Sequence, residues 1–124
     1  MSEKKRILVV EDELQFAKMV AVRLQSEGYA VDISTDAYGG TQTIIKTKPD
    51  LIILDLMMPA GGGFSLLERI RKIPVTSTIP VVILTGRTID DNIQNTADKY
   101  GVGKILTKPY EKEELMQTVH TLLA

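Results

Sequence analysis

Five short apolar runs punctuate the chain: Arg6–Val10 (RILVV), Ala30–Ser34 (AVDIS), Leu51–Asp55 (LIILD), Val81–Thr85 (VVILT) and Lys104–Thr107 (KILT). All are rich in Val, Ile and Leu. Three of them lack polar alternation, as strands covered on both faces do. The second alternates, which places it nearer a sheet edge. Segments of helical period separate the runs. Leu14, Ala17, Ala21 and Leu24 share one face of a helix predicted from Glu13 to Glu27 and closed by Gly28. A weaker helix, with two glycines and several β-branched residues, is predicted from Tyr38 to Lys48 and stopped by Pro49. Phe64, Leu67 and Ile70 mark a third, ending at Lys72. Ile89, Ile93, Ala97 and Tyr100 give a fourth with a thin apolar stripe. Leu115, Val119 and Leu122 define the last, whose first turn carries Glu111, Glu113 and Glu114, suited to the positive end of the helix dipole. The order βαβαβαβαβα implies an α/β fold: a parallel sheet, helices on both faces and right-handed crossovers.

Composition narrows what such a domain does. The 124 residues suit one domain with a full core, and no linker, repeat or low-complexity tract interrupts them. A net charge of −1 offers no basic stripe for a phosphate backbone, so direct nucleic-acid binding is not expected. The absence of cysteine removes disulfides, thiolate metal sites and thiol nucleophiles, and fits the cytoplasm. No apolar run is long enough to span a membrane. The opening MSEKKRILVVEDE has a basic patch but no signal-peptide core, so no secretion signal is expected.

In a sheet of this kind, ligands bind outside the carboxyl ends of the strands, at the switch in strand order. Those ends carry the chemistry here: Glu11-Asp12-Glu13 after the first strand, Asp55 at the third, Thr85 at the fourth and Lys108-Pro109 after the fifth. Crowded carboxylates repel one another unless a cation intervenes. An all-oxygen set suits a hard ion such as Mg2+. A phosphoryl group would then lie between the ion and Lys108 while Asp55 attacks phosphorus, with Thr85 donating to a phosphoryl oxygen. Each residue also has a plainer use. Glu13 also suits the N-cap of the following helix. Thr is a common strand residue, a single lysine is ordinary surface, and Asp55 alone would be a strand-end solubiliser. Weight comes from their joint placement on four strand ends.

Together, ILVVEDE, PDLIILDLMMP, IPVVILTG and ILTKPY resemble the receiver domain of bacterial two-component response regulators, over essentially the whole chain, 1–124. The resemblance implies a flavodoxin-like, doubly wound (βα)5 fold with strand order 2-1-3-4-5. It implies that Asp55 accepts phosphate from the phosphohistidine of a histidine kinase or phosphotransfer protein. Mg2+, with Mn2+ as an alternative, would be held by Asp12 directly, Glu11 through water, Asp55, and the main-chain carbonyl of Met57. Thr85 and Lys108 would hold the phosphoryl group, and the Lys108–Pro109 bond would be cis. The protein would catalyse its own phosphorylation and dephosphorylation without being a turnover enzyme. It would signal to a downstream protein or fused output domain through the 87–123 face, as a monomer or weak dimer.

Some positions depart from the family pattern. Ile105 stands where an aromatic switch residue is usual, three before the lysine, so coupling between Thr85 and position 105 lacks a ring and its hydroxyl. Gly61 and Gly62 are extra beside the usual Gly63, and a mobile loop is expected there. Met57 and Arg87, two beyond Asp55 and Thr85, are expected to tune the lifetime of the phosphoryl group.

Three rivals belong to other classes. A constitutive interaction module would not need Asp55, Thr85 and Lys108 intact. An aspartyl phosphohydrolase often needs a second acid where Met57 stands. A flavin-binding relative would meet repulsion from Glu11–Glu13 at its phosphate. GVGKIL lacks the Ser or Thr and the helix of a P-loop, and AGGGF is not a dinucleotide fingerprint. His120, the single histidine, is expected on the surface of the last helix, Thr76–Thr78 in a loop, and Met57-Met58 in loop and core.

Overall fold

The computed structural model describes residues 4–58 and 62–124. Five strands and five helices alternate: β1 Arg6–Val10, α1 Leu14–Ser26, β2 Ala30–Ser34, α2 Ala37–Thr47, β3 Leu51–Leu54, α3 Gly62–Lys72, β4 Val81–Thr85, α4 Asp91–Lys99, β5 Lys104–Thr107 and α5 Lys112–Leu123. The strands form one parallel sheet in the order β2-β1-β3-β4-β5, the flavodoxin-like arrangement. Every pair follows a continuous register: Ile7 lies opposite both Val31 and Leu51, Ile52 opposite Val81, and Ile83 opposite Ile105.

The runs without alternation are buried because both faces of the sheet are covered, by different helices. Ile7, Val9, Leu51, Ile53, Val82 and Leu84 point to one side and pack with Ala17, Val20 and Leu24 of α1 and Leu115, Met116 and Val119 of α5. Leu8, Val10, Ile52, Leu54, Val81 and Ile83 point to the other, against Ile44 of α2, Leu66, Leu67 and Ile70 of α3, and Ile93 and Ala97 of α4. The period-two alternation of a strand is thus present but hidden, since both directions lead into apolar packing. The alternating second run is the edge strand β2, half-buried throughout.

Gly28 and Pro49 close α1 and α2 as expected. Gly28 follows α1 with φ +97°. Lys48, a non-glycine at φ 46°, closes α2 before Pro49. Asp36 and Asp90 cap α2 and α4, accepting from the N–H groups of Gly39 (2.6 Å) and Ile93 (2.8 Å). Thr76 is fully buried in the turn after α3 and donates to the carbonyl of Ile70 at 2.7 Å.

Three expectations need correction. Leu14 does not belong to the buried stripe of α1. It is 44% exposed, and the face is carried by Ala17, Val20, Ala21 and Leu24. Gly62 and Gly63 are not a loose loop either. They are buried in the first turn of α3, which begins two residues earlier than predicted. A Cβ on Gly63 would lie 2.5 Å from the carbonyl oxygen of Asp55, and one on Gly62, at φ +65°, 2.7 Å from that of Leu56. These glycines let the helix start pass against the chain carrying Asp55. Pro59 and Gly61 lie outside the described residues. Ile89 and Tyr100 flank α4 rather than lie in it and pack against the same core.

Candidate functional site

The order β2-β1-β3 places the switch in winding direction between β1 and β3. Asp55 follows the last residue of β3, and its N–H still donates to the carbonyl of Val10 at 3.0 Å. Glu11 follows β1 in the same way, with its N–H on the carbonyl of Ser34 at 2.9 Å. The chain therefore leaves two adjacent central strands at the same level, carrying one acid each. Both are 3% exposed. Carboxylate oxygens of Glu11, Asp12 and Asp55 all lie within 4.8 Å of one another.

Two buried acids at this separation need cations or donors. Lys108, just beyond β5, reaches across to supply one. Its Nζ lies 2.5 Å from Oε1 of Glu11 and 3.6 Å from Oδ2 of Asp55. Its backbone N–H donates to the carbonyl of Thr85 at 2.7 Å, and its bond to Pro109 is cis, as the resemblance implies. The second oxygen of Glu11 accepts the N–H of Glu13 (3.0 Å), and Oδ1 of Asp55 accepts the N–H of Met57 (3.0 Å). Glu13 occupies the N-cap position of α1 but makes no capping bond with its side chain.

Burial pushes the Glu11 carboxyl up to about 7, although its bonds from Lys108 and from the Glu13 N–H pull it down; the Asp55 charge adds to the rise. Burial also works against the Lys108 ammonium, but the Glu11 hydrogen bond and the charges of Asp55 and Glu11 outweigh it and raise the amine above its ordinary value. One contact favours both charges, yet for Glu11 it does not replace the lost water. The acid cluster is short of positive charge, and its donor set is all oxygen, which fits a hard divalent ion.

Thr85 ends β4 fully buried, and its hydroxyl accepts the N–H of Arg87 at 3.1 Å. Met57 is 56% exposed and Arg87 is also open to solvent, while Met58 is core. Ile105, half-buried on β5, packs on the α3–α4 side of the sheet.

Phe16 was not singled out from the sequence. Its ring centroid is 4.2 Å from the Lys108 Nζ, and its edge meets Tyr110 at 6.0 Å. The only signal was an aromatic residue in the first turns of the helix following the acidic strand end, which by itself says nothing of Lys108. His120 is half exposed, as expected of a surface residue, but both ring nitrogens are engaged: Nδ1 with the Tyr29 hydroxyl at 2.6 Å and Nε2 with Glu27 at 3.1 Å. This cluster lies at the opposite end of the sheet, where β2 begins.

Comparison with known proteins agrees with this architecture. The sequence pattern of the response regulator receiver domain matches residues 7–120. The chain is 37% identical over 119 residues to the DNA-binding dual master transcriptional regulator RpaA of Synechocystis sp., covering 95% of this chain and 48% of that protein. It is 33% identical over 123 residues to the transcriptional regulatory protein RprY of Bacteroides fragilis, covering 99% and 51%. The chain thus spans about half the length of the curated relatives it matches. Among solved structures, a response regulator from Chloroflexus aurantiacus superimposes with a TM-score of 0.89 at 30% identity, covering 98% of each chain. A chemotaxis protein from Vibrio cholerae superimposes with a TM-score of 0.90 at 27% identity, covering 98% of this chain and 100% of its own. With the site between β1 and β3 and the pattern spanning nearly all of it, the chain belongs to the response regulator receiver domain family of two-component systems.

Proposed function

We propose that the chain is a phosphoacceptor switch: Asp55 takes a phosphoryl group from the phosphohistidine of a histidine kinase or phosphotransfer protein, and a protein-interaction face responds. One observation carries this. A buried carboxylate on the central strand faces an ammonium at 3.6 Å and shares its pocket with two further acids. A carboxylate oxygen forms the bond to phosphorus as the donor P–N bond breaks, and the leaving imidazole keeps the electron pair and takes up a proton. Lys108 moves from its resting partner Glu11 to a phosphoryl oxygen. Thr85 donates its hydroxyl proton while its lone pair keeps the Arg87 N–H. Glu11, Asp12, Asp55 and the Met57 carbonyl would hold Mg2+, which when bound neutralises the excess charge of acids and phosphoryl oxygens. The domain acts on itself and is not a turnover enzyme.

Readout falls to the 87–123 face of α4, β5 and α5, offered to a downstream protein or a fused output domain in the cytoplasm. Ile105 supports a readout by packing alone, since it has neither ring nor hydroxyl to bond as Thr85 moves. A small phosphodonor with Mg2+ is expected to add one acid-stable, base-labile phosphate. Asp55→Asn labelled to the same extent would sink the proposal. Exposed Met57 and Arg87 flank the entrance and set how long the phosphate survives. Exchanging them for an acid and an alanine should change the dephosphorylation rate several-fold, and an unchanged rate would remove them from that role.

A further inference from the structure

Resting on that phosphoacceptor reading, we propose that Phe16 is a positioning residue for Lys108: its ring face is the floor on which the reactive ammonium is held. Among the described residues, two carboxylates and one aromatic ring lie close to the Lys108 Nζ. The carboxylates are Glu11 at 2.5 Å and Asp55 at 3.6 Å. The ring is that of Phe16, with its centroid at 4.2 Å. An aromatic face attracts a cation through its quadrupole, most effectively when both are partly desolvated. Here the ring is half-buried and the ammonium side chain only 21% exposed. The ring differs from the carboxylates in one useful respect. It attracts the charge without offering a localised lone pair, so the three N–H donors of Lys108 remain available for oxygen acceptors. When the ammonium leaves Glu11 for a phosphoryl oxygen, the carboxylate contact is lost and the ring contact persists. The ring therefore keeps the long side chain near one position through the change.

Phe16 is itself braced. Its ring meets Tyr110 edge to face at 87°. The Tyr110 hydroxyl accepts from the Arg23 guanidinium at 2.8 Å, and the same guanidinium lies 5.3 Å from the Tyr110 centroid. Arg23 lies two turns beyond Phe16 on α1. One helix thus supplies both the floor under Lys108 and the anchor for the residue after Pro109. A plain core role accounts for the edge contact with Tyr110 but not for an ammonium seated over the ring face.

Two measurements test the inference. The first needs no phosphorylation. A ring this close shields the Lys108 ε-methylene protons, so their NMR resonances should lie upfield in the unmodified protein and in Phe16→Tyr, and near the ordinary lysine position in Phe16→Leu. An ordinary position in the unmodified protein overturns the placement, whether or not Asp55 accepts phosphate. The second is labelling by acetyl phosphate with saturating Mg2+. Phe16→Leu should slow it by about 2- to 30-fold, the worth of an ammonium on an aromatic face, Phe16→Tyr should restore it, and Phe16→Leu placed on Lys108→Ala should cost nothing more. Labelling of Phe16→Leu at the original rate, equal slowing in the Lys108→Ala background, or no recovery in a folded Phe16→Tyr overturns the role. Failure of the unmodified protein to label counts instead against the phosphoacceptor reading, and the ring shift then decides the placement alone.

Discussion

At the scale of single residues, the site depends as much on what is missing as on what is present. The proposed role of Asp55 needs its backbone held in place, and the first turn of α3 lies directly against that backbone. Gly63→Ala would put a methyl 2.5 Å from the Asp55 carbonyl oxygen, a fixed atom that cannot rotate away. Alanine favours a helix by about 1 kcal/mol over glycine, but overpacking a tight site costs about 1–3 kcal/mol, and a backbone clash belongs at the upper end. A net loss of about 2 kcal/mol is expected, read from urea unfolding with an unchanged denaturant slope. An unaltered midpoint would show that the helix start can shift freely. Residues also show where the sequence was silent. Glycine advertises freedom, so GGG read as a loop, and only the approach of two backbone segments shows that Gly62 and Gly63 are there for closeness. The carboxylates were legible because charge at the end of an apolar run is conspicuous. Phe16 was not, because the residue that gives it meaning stands on the far edge of the sheet.

At the scale of elements, apolar runs predicted the strands well, since a four- or five-residue apolar block bounded by turn signals has few other uses; their order in the sheet came from the family resemblance. Helix faces were less certain. The start of α1 holds Leu14 and Phe16, and periodicity alone does not say which turns inward; the sheet decides for Ala17 and Val20. The hold on α4 was also not legible. Arg71 of α3 donates to the carbonyls of Tyr100 (2.8 Å), Ser77 (3.1 Å) and Ile79 (2.8 Å), tying the end of α4 to the turn before β4. Tyr100 returns a bond to Glu68 of α3 at 2.9 Å. With only Ile93 and Ala97 buried within α4, these bonds carry much of its attachment. Arg71→Met keeps the stem and removes the donors, leaving three carbonyls short of a partner. A loss of about 2–3 kcal/mol is expected, together with faster amide exchange in Thr96–Gly101 than in α5. Equal exchange in both helices would show that apolar packing alone holds α4.

At the scale of the whole molecule, the sheet separates two apolar layers whose buried side chains belong to different helices. Among the described residues, three acids gather where the backbone leaves that sheet, so unbalanced charge sits at one end of the most regular packing. An ion that binds only the gathered acids stabilises the entire fold. Mg2+ at a hundredfold over its dissociation constant should add about 2.7 kcal/mol. The melting temperature should rise accordingly, and the rise should vanish in Asp12→Ala. A Tm that ignores Mg2+ would mean the acids are not a metal site. At the other end of the sheet, the single histidine of the chain bridges α5 to Tyr29 and to Glu27 at the close of α1. The molecule therefore carries its own spectroscopic reporter. One imidazole signal, free of overlap and at the opposite end of the sheet from Glu11, Asp12 and Asp55, registers whether α1 and α5 keep their spacing, without any label attached.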